Sequence, residues 1–397
     1  LIMLLSLKKP GERRKSAPFI FASSTKNTRE FSHRRNTESD CSGKTENETS
    51  PLVKQLIDEF EKTKLNDEQM PISYGDSLNI IQNRKLQRRA SSKRKRHSTG
   101  TIEITPHKYT NDPAIAWEMI KNNRPVKVVR QMKLNTPMKQ DAIRFVCMAC
   151  LHQSFPHPQL VPPGDILVVA GNFTQIGGPD EVEIFSQYLK QLPHTFKIVI
   201  AGSHEYTFDD HFIKVSGSKL GEKKLAVKQT LSNRFSLQEI RSAKAKLENA
   251  IYLEDSLWEI FGIRIYGTPW LPQYNDTAFN LPRGQALLDK WNDIPTGVDV
   301  LITHTPPLGH GDILPTGLHV GCVELLNSVV KRIRPKYHIF GHIHSGYGCT
   351  TDGYTKFVNC SLMNDRLQLT NNPIIFDIPV DVNKKERWIY QHRRSIK

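Results

Sequence analysis

The sequence predicts an α/β domain of alternating buried strands and helices, set behind a long basic tail, and three observations carry that prediction. From about residue 106, short apolar runs rich in Val, Ile and Phe recur, each closed by a Gly, His or Pro cluster. Helical periodicities alternate with several of these runs, the pattern of a layered α/β fold. Ahead of them, the chain is rich in Ser, Thr, Asn, Lys and Arg and poor in aromatics, so it has too little apolar surface to offset its chain entropy. With 397 residues and 38% hydrophobic composition, the chain holds enough apolar side chains for one large or two medium domains.

The strand candidates, in order, are IRFVCMA (143–149), DILVVAG (165–171), FKIVIAG (196–202), IRIYGTP (263–269), VDVLITH (298–304), YHIFGHI (337–343) and KFVNCS (356–361). Their continuous apolar runs suit strands buried on both faces. Helical spacing appears in EVEIFSQYLKQL (181–192), SLQEIRSAKAKLENA (236–250) and VGCVELLNSVVKRI (320–333). The expected organisation is a disordered basic tail over 1–105, a folded domain over 106–382, and a short basic tail over 383–397.

The net charge is +15, and residues 1–100 carry 21 Lys/Arg against 12 Asp/Glu, so the tail holds most of the surplus. Within it, Val53, Leu56, Ile57 and Phe60 fall on one face of a short helix expected over 52–62. That stripe could dock on a protein partner or on the folded domain of this chain. The run from Arg84 to Arg96 suits a nuclear-localisation signal or a solvated linker in an otherwise cytoplasmic protein. Nucleic acid is not an expected partner, because no aromatics interleave with the cations to stack on bases. Ser91 and Ser16 each follow basic residues and are candidate phosphorylation sites.

No window approaches the 18 or more consecutive apolar residues of a membrane span, so no membrane-spanning helix is expected. The opening LIMLLSLKKP has its basic residues after rather than before its apolar run, and no signal peptide is expected. Six cysteines at irregular spacing point to a reducing compartment without disulfides.

In α/β folds ligands bind at the carboxyl ends of strands. Those ends carry Cys150, His152, His204, His304, His342 and His344, all borderline-soft donors that suit zinc and related metals. One strand-terminal histidine is usually structural. Five, distributed over successive strand candidates, argue for a metal or phosphate site. Cys147 and Cys150 do not read as a zinc knuckle, because in a continuous strand their thiols would point to opposite faces. Tyr347 and the segment from Trp270 to Tyr274 are candidate pocket walls by position, with core packing the expected role of Trp270. His157, His194, His310 and His338 have no evident place in the site.

The blocks RFVCMACLHQ, GDILVVAGNFT, KIVIAGSHE, LITHTPPLGHGD and HIFGHIHSGYG resemble, in order, the motifs of the calcineurin-like metallophosphoesterases. FNLPRGQALLDKW, VGCVELLNSVVKRIRPK, TDGYTKFVN and NPIIFDIP are similar to the metallophosphoesterase-domain-containing group of animals, the adult and fetal brain proteins. The resemblance spans about residues 113–380. It implies a four-layer sandwich of two mixed β-sheets flanked by helices, and two divalent metals that activate water against a phosphate ester. It makes His152, His304, His342 and His344 metal ligands and His204 the histidine that stabilises the leaving group. Three positions depart from the family pattern: Cys150 and Asn172 replace aspartates, and Ser203 replaces asparagine.

Asn172 offers a neutral carbonyl oxygen where a bridging carboxylate would serve two ions. Two divalent ions about 4 Å apart repel by roughly 16 kcal/mol at an effective dielectric near 20. Little anionic charge remains to offset that, so one divalent ion, Zn or Mn, is expected rather than two, and the metal could be lost altogether. Cys150, His152 and His344 could hold a single zinc with one position open. Two readings stand side by side. One is a weak metal-dependent phosphodiesterase acting on phosphate esters such as 2′,3′-cyclic nucleotides. The other is a pseudoenzyme retained as a nucleotide or phosphate sensor or a scaffold.

Overall fold

The computed structural model describes residues 103–215 and 220–395. The expected helix over 52–62, the Arg84 to Arg96 run, Ser16 and Ser91 lie outside the described residues. Along the chain come helix α1 (Pro113–Ile120), β1 (Lys127–Val128), β2 (Ala142–Met148), β3 (Ile166–Ala170), α2 (Pro179–Gln191) and β4 (Phe196–Ile200). Helices α3 (Asp210–Lys214), α4 (Glu222–Arg234) and α5 (Leu237–Ser242) follow, then β5 (Ile251–Tyr252), β6 (Ser256–Ile260), β7 (Ile263–Thr268), β8 (Leu271–Pro272) and β9 (Asn280–Leu281). The remainder is α6 (Gln285–Asn292), β10 (Val300–Thr303), α7 (Val323–Ser328), β11 (Tyr337–Phe340), β12 (Gly348–Thr351), β13 (Lys356–Asn359), β14 (Ile374–Pro379) and α8 (Val382–Ser395).

Two mixed sheets dominate. One has the order β14-β2-β3-β4-β5 and the other β1-β12-β13-β11-β10-β7-β6. In both, the central strands run parallel; β14 joins the first sheet antiparallel while β5 extends it in parallel, and β12, β1 and β6 join the second antiparallel. The pleat explains why the strand sequences are apolar throughout. Ile143, Phe145 and Cys147 of β2 and Ile166, Val168 and Ala170 of β3 face inward, against Ile265, Val300, Ile302 and Ile339 of the other sheet. The alternate residues Val146, Met148, Leu167 and Val169 face outward, onto Val182, Phe185 and Leu189 of α2. On the far side, Leu301 and Phe340 pack on Leu287 and Trp291 of α6 and Leu325 of α7. The result is the four-layer order helix, sheet, sheet, helix, with each fully buried Val, Ile or Leu contributing about 1.5–3 kcal/mol.

Four local expectations change. The 236–250 helix stops at Ser242 and tightens into a 3₁₀ turn over Ala243–Lys246, after which Glu248 and Asn249 donate to the Ser186 hydroxyl on α2. The 320–333 helix begins only at Val323, with the Cys322 thiol accepting from the Leu325 N–H, and widens into a π turn over Val329–Ile333. Val382–Ser395 form helix α8 rather than a tail. Lys385 is buried there and bonds Ala142 O (2.7 Å) and Asp165 (3.1 Å), while Trp388 packs on the inter-sheet core. Finally, Cys147 and Cys150 lie in the same inter-sheet cluster rather than on opposite faces, because Cys150 has left β2 with a left-handed φ of 55°.

No helix among the described residues is long and apolar enough to cross a membrane. Their five cysteines are free thiols.

Candidate metal centre

The carboxyl ends of β2, β3, β4, β10 and β11 converge because parallel pairing aligns them within each sheet, and the sheets join at this end. Ala149, just past β2, bridges to Ser361, just past β13, and accepts the Leu362 N–H at 2.9 Å. The chain then breaks sharply after β2, β3 and β11. Cys150, His152, Gln153, Asn172 and His342 all adopt left-handed φ between 46° and 66°, an uncommon state for side-chain-bearing residues that concentrates at functional sites. Gly202 supplies the room for this convergence, since a Cβ there would lie 2.6 Å from both Asn172 Oδ1 and the His304 ring.

Cys150, His152 and His344 form the one group of three donors among the described residues whose ligand atoms all lie within 4.8 Å of one another. Nε2 of His152 is buried with no hydrogen-bond partner. Nδ1 of His344 bonds Asn364 O at 3.1 Å, which places the proton on Nδ1 and leaves Nε2 as the lone-pair donor. The Cys150 sulfur accepts the His342 N–H at 3.1 Å, and Gly341 keeps the adjoining backbone close. Burial, aided by the neighbouring histidines, lowers the His152 pKa to about 3, so the ring is neutral as a ligand requires. Burial raises the Cys150 thiol to about 12, so binding a metal must release its proton. An orphaned ring nitrogen beside a thiol and a second oriented imidazole fits one ion of the zinc type.

The other half of the site is built differently. The His304 and His342 rings lie 4.9 Å apart, and Nδ1 of His304 bonds Ala170 O at 2.9 Å. Burial lowers the pKa of both rings, that of His342 to about 3. Asn172 Nδ2 donates to Ser203 Oγ at 3.1 Å, Ser203 Oγ donates back to Asn172 Oδ1 at 3.2 Å, and the His204 N–H reaches the same Oδ1 at 3.0 Å. Both lone pairs of that carbonyl are therefore engaged within the protein. With neutral donors only, this half does not fit a second divalent ion.

His204 stands edge-on to His152, with ring centroids 4.5 Å apart, and its Nδ1 bonds Gln175 O at 2.7 Å. Its Nε2 is thus the nitrogen left to exchange a proton. Behind Asn172 sits a residue that the sequence reading did not single out. Fully buried Glu205 accepts from the N–H groups of Asn172 (2.9 Å), Thr174 (2.9 Å) and Gly202 (2.6 Å) and from the Thr174 hydroxyl (2.8 Å). It ties the loop after β3 to the loop after β4. Burial pushes its carboxyl up to about 7, against the pull of those four donors toward the ionised form. Its place in KIVIAGSHE was the available signal.

A cavity of about 320 Å³ opens beside His342 and His344, walled by Pro272, Tyr274, Arg283, Leu314 and Ile343. Tyr274 is thus a wall as expected, whereas Tyr347 is not among the lining residues and its hydroxyl donates to Asn372 O. Trp270 packs on Phe279 and bonds Asp255, the structural role expected of it. His194 bonds Pro162 O, His338 meets Thr303, His310 stacks on Phe357, and His157 starts a 3₁₀ turn.

Two facing mixed sheets, flanked by helices and carrying histidines at the ends of their parallel strands, define a phosphoesterase-type hydrolase fold. The model of the calcineurin-like phosphoesterases matches residues 143–346, and this chain belongs to that family. It is 56% identical over 288 residues to a UPF0046 protein of Caenorhabditis elegans, covering 72% of each chain. It is also 42% identical to metallophosphoesterase domain-containing protein 1 of mouse (296 residues, 73% of this chain and 89% of the relative) and of human (300 residues, 74% and 90%). The family generally uses divalent metals and acts on phosphate esters.

Proposed function

We propose that this protein is a metal-dependent phosphodiesterase that works with a single divalent ion held by Cys150, His152 and His344, with 2′,3′-cyclic nucleotides as the first substrates to try. The observation that carries this reading is the unpartnered, buried Nε2 of His152 beside the Cys150 thiol and the oriented His344 ring. A zinc or manganese ion there would supply Lewis-acid polarisation and a water of lowered pKa. The protein's own groups supply the rest. His304, buried, and His342, half-buried, both neutral, line the side where the phosphate would sit. His204 Nε2, its ring fixed through Gln175, exchanges a proton with the departing oxygen.

A second reading is supported by the Asn172, Ser203 and His204 hydrogen bonds, which take up the group that would bridge two ions. On it, the protein is a pseudoenzyme that binds a nucleotide or phosphate without hydrolysing it. Metal content of the purified chain, with zinc or manganese added, and turnover of 2′,3′-cyclic AMP decide between them. About one ion per chain, with turnover abolished in His344→Ala, supports the enzyme. No ion and no turnover leave the binding role.

A further inference from the structure

Arg283 is the one guanidinium lining the cavity beside His342 and His344. It precedes α6 in the segment NLPRG, and its position is set by two backbone acceptors. Nη1 donates to Gly321 O at 2.8 Å and Nη2 to Val320 O at 2.7 Å, both in the loop leading to α7. Those bonds use two of the five N–H donors of the fork. Both partners are neutral carbonyls, and among the described residues no carboxylate forms an ion pair with Arg283; the buried Glu324 and Asp312 act on it only through space. Asp365, on another wall of the cavity, is exposed and solvated. A half-buried cation with no carboxylate bonded to it, oriented in advance and facing a cavity beside a cluster of imidazoles, is suited to an anion, and a planar fork is matched to phosphate oxygens. The remaining walls, Pro272, Tyr274, Leu314 and Ile343, present apolar and aromatic surface of a size for an organic ester group.

We propose that Arg283 is a substrate-positioning residue that anchors the phosphate of the ester, and that the cavity between Tyr274, Leu314 and Ile343 receives the esterified group. This rests on the phosphate-ester reading of the site and holds for an enzyme or a sensor alike.

The test is calorimetric titration of the full-length chain, supplied with zinc, with inorganic phosphate and with phenyl phosphate. Arg283→Gln is expected to weaken both ligands by about tenfold to a hundredfold, the range for losing a charge-assisted hydrogen bond, with zinc content and Tm kept. Arg283→Lys, which keeps charge but not the fork, should fall between. Phenyl phosphate should bind more tightly than phosphate to wild type, and Leu314→Asp should erase that difference. Should Arg283→Gln not fold, wild type still serves: phosphate should protect Arg283 from an arginine-selective dicarbonyl, read by peptide mass spectrometry. Equal phosphate affinity in Arg283→Gln and wild type, no protection of Arg283, or no phosphate binding by wild type would each overturn the proposal. None of these readouts depends on turnover, so loss of the hydrolase reading and loss of this one are separable.

Discussion

Asn172 and Ser203 hydrogen-bond each other through their side chains in both directions, at 3.1 and 3.2 Å, where the family resemblance implies two metal ligands. The pair satisfies itself, and the His204 N–H completes the Asn172 carbonyl. This pair, electrically neutral and internally bonded, offers a second cation no charge and no free carbonyl lone pair, which leaves it only the neutral imidazoles of His304 and His342.

Asn172→Asp together with Ser203→Asn should therefore raise bound metal from about one to about two ions per chain, because a carboxylate can serve both ions. The fold should tolerate the change, since Asp keeps the oxygen that accepts from His204 and Ser203 is replaced by another hydrogen-bonding side chain. Elemental analysis after dialysis reads the stoichiometry, and a value that stays at one would count against this account of the closed half.

Cys150→Ser should lower zinc affinity by at least about tenfold, since even outer-sphere changes around a metal cost that much. In wild type, a cadmium-loaded sample should show an ultraviolet thiolate-to-metal band that the variant lacks. Because burial holds the free thiol protonated, binding should also release a proton. A weakly buffered titration with no acid release would argue that the sulfur is not a ligand.

Glu205→Gln should destabilise the protein by about 3 kcal/mol, because one acceptor oxygen becomes an NH₂ turned toward N–H donors. The urea midpoint measures it. A loss below about 0.5 kcal/mol would mean that the loops after β3 and β4 are held by something else.

Burial lowers the pKa of His194 and His310 to about 4 and that of His338 well below its usual 6.5. The unfolded chain then binds more protons than the folded one between about pH 6.5 and 4. Their stabilising contribution is complete above pH 6.5 and is lost as pH falls through that window. Urea midpoints should therefore drop from pH 7.5 to pH 5, and equal midpoints would contradict the neutral, buried state of these rings.

Gly202→Ala places a methyl 2.6 Å from both Asn172 Oδ1 and the His304 ring, so the loop after β4 must move. Lowered Tm and at least about tenfold weaker phosphate binding are expected together, since displacing site groups by about 1 Å is costly. Unchanged phosphate affinity would show that the imidazole cluster does not depend on that close approach.

Much of this was legible in the sequence, because buried parallel strands must be apolar on both faces and must end where polar residues turn the chain. Those two facts marked seven strands and put Cys150, His152, His204, His304, His342 and His344 at their ends, and motif order named the family. The grouping of Cys150 and His152 with His344 followed from the resemblance, but the left-handed φ at Cys150 that folds its thiol back into the inter-sheet core did not, since periodicity assumes an extended strand. Helix α4 was missed because its apolar residues form only a weak stripe, and α8 because charged residues dominate it and its place is fixed by tertiary anchors such as Lys385 on Asp165. The Asn172 and Ser203 pairing, the Glu205 clamp and the Arg283 fork were decided only by the tertiary structure. Groups 31 to 38 residues apart meet through strand register and loop closure, and hydrogen bonds of 3 Å depend on that geometry rather than on residue type.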